Sequence, residues 1–281
     1  MRQFILALVS TVVVTVACAT NALATPPAPA WNWTGFYVGG NVGYGWGNRN
    51  TSFVSNDANA DFLFGLGASS GNGDGPLSAV SSKSSGALGG VQAGYNWQLS
   101  RQWVVGIAAD IDISHISGSA TSTSNAQAQF TANGTANVTQ NVDWFGTLRA
   151  RGGYLLSDNL LVFATGGLAY GHVKGDGTFS LSGPGSSSGP GAPGWACTVG
   201  GATCFAGNSS RVTAGWTAGG GLEYALSRNW KISGEYLYVN LGSNSTTFTA
   251  LNPGLSPTPS TFSANSKTSF SVARAGLNYA F

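Results

Sequence analysis

Charge is scarce in this chain. Lys and Arg number 12 and Asp and Glu 10, so charged side chains are only 8% of 281 residues, against roughly 25% in an ordinary soluble domain. A soluble fold this poor in charge would struggle to cover its surface, whereas a fold that turns apolar side chains toward lipid would not. The few charges form no basic run and no acidic tail, so the electrostatic footprint of a nucleic-acid binder is missing. Long apolar runs are missing too. Beyond the N-terminal segment none approaches the roughly eighteen residues of a spanning helix. The best, Leu160 to Tyr170, is broken by Thr165, Gly166 and Gly167. Helical spanning is excluded, and a closed barrel is the only remaining way across a bilayer.

Cysteine is limited to Cys18, Cys197 and Cys204. The first lies in a segment that reads as a secretory signal. Arg2 supplies the positive start, Phe4 to Ala17 the apolar stretch, and Ala22-Leu23-Ala24 the small-residue cleavage site, which puts the leader at 1–24. The competing reading is an acylated Cys18, but Thr15-Val16-Ala17 before it lack the expected Leu. Without the leader, eleven bases face ten acids. Cys197 and Cys204 then form an even pair in an exported chain, which favours a disulfide over zinc, since no nearby ligands complete a metal set.

What the chain does have is 42 glycines without a collagen period, and a strict period of two. After a Pro/Ala linker (25–34), Phe36, Val38, Val42, Tyr44 and Trp46 alternate with Gly, Tyr37 and Asn41. The same pattern returns with Val91, Ala93, Tyr95, Trp97 and Leu99 on one face. It continues with Trp103, Val105, Ile107, Ala109, Ile111 and Ile113, then with Val142, Trp144, Leu148, Ala150 and Tyr154. The last four strands carry Val162, Ala164, Leu168 and Tyr170; Val212, Ala214, Trp216, Ala218, Leu222 and Tyr224; Trp230, Ile232, Tyr236 and Tyr238; and Ala273, Ala275, Leu277, Tyr279 and Phe281.

Connections alternate in length. Short turns fall at Ser100-Arg101, Ser157-Asp158-Asn159 and Ser227-Arg228-Asn229. Long Gly/Ser/Asn-rich loops are expected at about 48–85, 115–137, 172–210 and 242–267. That asymmetry is typical of transmembrane barrels, and four loops with three turns make eight antiparallel strands, with both termini on the periplasmic side. The turns repeat weakly: Y-N-W-Q-L-S-R-Q-W from Tyr95, Y-A-L-S-R-N-W from Tyr224 and Y-L-L-S-D-N-L from Tyr154. Aromatics flanking a polar turn suit a membrane-surface girdle. The chain therefore reads as an all-β, eight-stranded up-and-down barrel over 35–281.

Nine charged residues lie within these strands: Asp110, Asp112, Asp143, Arg149, Arg151, Glu223, Lys231, Glu235 and Arg274. All take the parity opposite the apolar face. A Lys or Arg facing lipid at mid-membrane costs ~2–4 kcal/mol, while in the lumen it can pair. Asp110 and Asp112 sit at heights similar to Arg149 and Arg151 on the next strand, and Glu235 and Arg274 are likewise level. Eight strands leave a lumen just wide enough for side chains to fill. Two readings stand: a salt-bridged plug that satisfies buried charge, or a narrow ion path.

The stretch W-N-W-T-G-F-Y-V-G-G-N-V-G-Y-G-W-G (Trp31 to Gly47) resembles the opening strand of the small outer-membrane barrels of alphaproteobacteria. These are immunogenic surface proteins, often grouped with porins, that have an OmpA-like or opacity-type barrel. The ending R-A-G-L-N-Y-A-F resembles their closing strand, and Leu277, Tyr279 and Phe281 resemble the signal read by the barrel-assembly machinery. The resemblance covers the mature chain except its loops. It implies an abundant outer-membrane protein in envelope integrity or host contact, with outer-membrane lipid around it, the assembly machinery as a partner during biogenesis, and a host or envelope partner at its loops. Gly183 to Gly194 and the cysteine pair are particular to this chain.

Other signals are weaker. Gly65 to Gly75 lacks the strand and helix of a phosphate cradle. Asp57, Asp61 and Asp74 lack EF-hand spacing for calcium. His115 beside Ser114 and Ser117 has no acidic orienter, and His172 has no evident partner. No catalytic centre, cofactor or metal is expected. The expected function is an anchor for surface loops with a structural and interaction role; the alternative is a narrow porin for small hydrophilic solutes, and the remote one a lipid-modifying enzyme.

Overall fold

The computed structural model describes residues 31–57, 79–124, 133–182, 203–252 and 258–281. The chain divides into two units, Met1–Trp31 and Asn32–Phe281, and the second holds the barrel. The expected leader, Gly65 to Gly75, Gly183 to Gly194, Asp61, Asp74 and Cys197 lie outside the described residues.

Eight strands succeed one another: β1 (Gly35–Ser55), β2 (Val80–Gln98), β3 (Trp103–Ser124), β4 (Asn133–Ser157), β5 (Leu160–Ser182), β6 (Thr203–Ala225), β7 (Trp230–Ala250) and β8 (Thr261–Ala280). Each pairs antiparallel with the next, and β8 closes on β1 through Tyr37↔Ala280 to Ser55↔Phe262. Closure leaves no sheet edge, so every strand finds backbone partners on both sides.

The three short turns gather at one end of the barrel, its turn end. Two of them explain the repeated S-R-x-W. Ser100 Oγ accepts from the Trp103 amide at 3.2 Å, and Ser227 Oγ from the Trp230 amide at 3.1 Å. A serine hydroxyl thus stands in for a backbone acceptor and holds the reversal. The Trp that ends each turn packs edge-on against an aromatic of the adjoining strand, as Trp103–Tyr154 and Trp230–Tyr279 do at 5.3 and 5.1 Å.

A second aromatic ring lies above, with Trp46–Tyr236, Trp144–Tyr170 and Trp216–Tyr238. Phe36 in the lower ring and Trp46 in the upper are ten positions apart on β1. Ten residues at ~3.3 Å, tilted by about 40°, rise roughly 25 Å, the height of a lipid-facing band. Between the rings the outer face is Val38, Val42, Val91, Ile107, Ile111, Leu148, Leu222 and Leu277, all exposed.

The strands do not end at the upper ring. The segments expected as loops from 48, 115, 172 and 242 begin as strand, and β3 runs eleven residues past Ile113. Past the ring the alternation inverts. Outward positions become polar, such as Asn48, Asn50, Ser119, Thr121 and Asn265, while inward ones become apolar. Ile116, Val142, Phe145, Leu241, Phe270 and Val272 belong to one buried cluster, and Phe53, Phe179, Phe205, Phe248 and Phe262 to another nearer the loop end. Below the ring hydrocarbon lies outside, and above it water does. The apolar parity therefore switches faces, and a reading that followed one parity took the switch for a loop.

The inversion sets opposite costs for one substitution. Ile107→Arg, in mid-belt, is expected to lower folding stability in lipid by ~2–4 kcal/mol. Ser119→Arg, outward above the ring, is expected to stay within about 0.5 kcal/mol of the parent. Urea unfolding in phospholipid, followed by tryptophan fluorescence, measures both.

Candidate functional site: the charged lumen

Eight of the nine strand charges meet inside the barrel below the upper ring. Asp110, Asp112, Arg149, Arg151, Glu223, Lys231 and Arg274 are buried, and Glu235 nearly so. Four carboxylates face four cations, so the set is formally neutral. Two subsites divide it.

In the first, Arg149 and Arg274 share three acids. Arg149 Nη2 meets Asp110 Oδ2 at 2.8 Å, and its Nη1 meets Glu235 Oε1. Arg274 reaches Asp110 Oδ2 at 2.8 Å, Asp112 Oδ2 at 2.9 Å and Glu235 Oε2 at 2.8 Å. Thr147 donates its hydroxyl to Asp110 at 2.8 Å and accepts from Arg149 Nε at 2.8 Å. Arg149–Glu235 joins β4 to β7 and Arg274–Asp112 joins β8 to β3, so both links cross the lumen. Glycines clear the path. A Cβ on Gly43 would stand 2.7 Å from the Arg274 Cβ, and one on Gly90 would stand 2.4 Å from Asp112 Oδ1.

In the second subsite Arg151 Nη2 meets Glu223 Oε2 at 2.6 Å, and its Nη1 donates to the Tyr37 hydroxyl at 3.2 Å. The guanidinium lies over the Phe163 ring at 4.1 Å. Expectation put Arg151 beside Asp110 and Asp112; it pairs across to β6 instead. A cavity of about 20 Å³ lies between the subsites, lined in part by Arg149, Arg151, Glu223 and Glu235, with room for about one water.

Asp143 is not in this cluster. Its side chain is 35% exposed and sits outside, 2.8 Å from Lys174 Nζ and 3.1 Å from His172 Nδ1. A register shift between Val142 and Trp144 causes this: Val142 turns inward and Asp143 outward. A bulge inserts one residue and flips the parity beyond it. His172 thereby gains the partner that sequence did not reveal, and it stacks on Trp144 with 10° between planes.

Trp33, expected in the linker, closes the turn end. It is buried, donates its amide to Gln98 Oε1 at 3.0 Å and its indole Nε1 to the Asp158 carbonyl at 3.1 Å. Lys231 Nζ lies 4.1 Å from its ring centroid, a cation–π contact. Its signal was parity: 33 continues the inward odd positions of β1.

His115 faces outward while Ser114 faces inward and donates to the Val142 carbonyl, so this pair does not converge. Asp57 accepts from the Thr261 amide at 2.7 Å. Cys204 is buried on β6. Leu277 and Phe281 are exposed, Tyr279 is half-buried, and Phe281 donates its amide to the Phe36 carbonyl at 3.0 Å.

An apolar belt between aromatic rings outside, and compensated charge inside, define a membrane-spanning β-barrel. The chain matches the outer membrane protein beta-barrel domain over residues 11–281 and belongs to that family. It is 34% identical over 290 residues to the 31 kDa outer-membrane immunogenic protein of Brucella melitensis, with all of both chains covered. The Brucella suis protein of the same name is equally similar. Among solved structures it is similar to OprG from Pseudomonas aeruginosa, at 13% identity over 88% of this chain and 96% of that one, with a TM-score of 0.45.

Arg274 is the most connected of these groups. Arg274→Met strands the buried Asp112 and leaves Asp110 and Glu235 to share Arg149, and is expected to cost about 3–5 kcal/mol in urea unfolding. Combining it with Asp112→Asn should recover part of that loss, because the carboxylate left without its cation is then neutral.

Proposed function

We propose that this protein is a closed barrel that anchors surface loops in the outer membrane, with a structural and interaction role rather than a solute-conducting one. The observation that carries this reading is the filled lumen. Phe145 of β4 meets Phe270 of β8 at 5.3 Å, from opposite sides of the barrel. Nearer the loop end Phe262 contacts Phe53, Phe179, Phe205 and Phe248, the last stacked at 4.5 Å. Hydrated ions would have to cross both apolar layers as well as the ion-pair layer and Trp33. Buried apolar packing of this kind excludes water.

The loop end suits the cell exterior. The strand wall continues past the upper ring with a polar outer face, which lifts the four connections clear of the lipid. The turn end, with both termini, then lies in the periplasm. The Brucella relatives are named immunogenic, which fits a chain that displays loops to antibodies.

Reconstituted in planar bilayers, the protein is expected to give no conductance steps above bare lipid, and Arg149→Ala to give none either. Steady steps in the parent that change with Arg149→Ala would establish the porin reading instead. An epitope tag between Ser124 and Asn133 should label on intact cells, and one at Asp158 only after permeabilisation. The reverse pattern would overturn the orientation.

A further inference from the structure

Between the two apolar clusters lies a polar layer that no ion pair serves. Its centre is Arg49, which lay in an expected loop. Arg49 is 2% exposed and projects into the lumen from β1. Its Nη1 donates to the Gln140 carbonyl at 3.0 Å and to Gln140 Oε1 at 2.8 Å, across the barrel on β4. Its Nε and Nη2 are buried without a partner. Among the described residues no carboxylate lies within salt-bridge distance, and the charges below already balance one another.

The neighbours repeat the pattern. Thr51 pairs with Ser266, and Ser266 with Asn244, so the three share one inward row on β1, β8 and β7. Thr268 lies between Ser266 and Ser271, whose β1 partners are Thr51 and Trp46, and so faces inward beside Arg49. Both polar atoms of the Asn244 amide and the Thr268 hydroxyl are also buried and unpartnered. Unused polar groups, most of them donors, and one uncompensated positive charge thus collect in one layer. A water could accept from the N–H groups, but it would leave the charge, and an unpaired buried charge is penalised by several kcal/mol.

We propose that this layer binds one small inorganic anion of halide size, held side-on by Arg49 Nε and Nη2 with Asn244 and Thr268 as further donors. At this level the wall between β6 and β7 is held by side chains rather than by backbone pairing. Pairing of β6 with β7 stops at Trp216↔Asn240 and resumes at Ala206↔Thr249. Across this gap Ser209 Oγ lies 2.8 Å from Thr246 Oγ1, and Arg211 Nη2 donates to the Ser245 carbonyl at 3.3 Å. Gly242, with φ of +79°, sits at a bulge in β7 beside this stretch. The exposed Arg211 places a second cation on this stretch of wall, which favours anions over cations there.

Bromide is the probe. In crystals of the protein refolded with sodium bromide as the sole halide, an anomalous peak is expected at hydrogen-bond range of Arg49 Nε and Nη2. In detergent, each tenfold rise in bromide, with gluconate holding ionic strength constant, should raise the thermal midpoint by about 2–4 °C. Arg49→Met should abolish that rise. An ordered water or no density at the guanidinium, or a bromide response that persists in Arg49→Met, overturns the proposal. The crystallographic result decides alone if the variant does not fold.

Discussion

Hydrocarbon offers neither hydrogen bonds nor charge compensation, and the rest of the structure depends on that. It forces the sheet to close, because an open edge would leave amides unpaired in lipid. It sends every mid-membrane charge inward, where a lumen of eight strands can hold side chains but little water. There the charges satisfy one another. Asp110, Asp112 and Glu235 answer Arg149 and Arg274, and Glu223 answers Arg151. The glycines at 43 and 90 belong to the same constraint, since long guanidinium arms crossing a narrow tube need walls without side chains.

Above the upper aromatic ring the solvent changes and the pattern inverts. The same strands bury phenylalanine inside and show Asn, Ser and Thr outside, as a soluble barrel does. One closed sheet thus carries two cores of opposite character, polar within the lipid belt and, apart from the layer around Arg49, apolar beyond it. The polar core supplies specific cross-lumen links and the apolar core supplies packing. A cavity of about 20 Å³ remains beside the ion pairs.

Such a molecule transmits little along its axis and displays much at one end. Its chemistry is spent on closure: Trp33 under Lys231 at the turn end, ion pairs in the belt, phenylalanines above. Among the described residues Arg49 is the internal charge outside that compensation, and it lies at the level where the β6–β7 wall loses its backbone pairing. The least settled electrostatics and the least continuous part of the wall therefore coincide.

Sequence alone determined the eight strands, the lipid-facing residues of each except Val142, which turns inward, the short turns at one end and the inward turn of eight charges, because a period of two reads directly as two faces. It could not show where that parity breaks. The bulge at Val142 put Asp143 outside, and the inversion above the ring extended the strands through segments rich in Ser and Asn that read as loops. Sequence adjacency suggested neighbours on consecutive strands, so Asp110–Arg149 and Glu235–Arg274 were legible. Arg149–Glu235, Arg274–Asp112, Arg151–Glu223 and the reach of Arg49 to Gln140 were decided by tertiary structure. Those links depend on the curvature that brings opposite walls within the length of an arginine, and no local pattern encodes that distance.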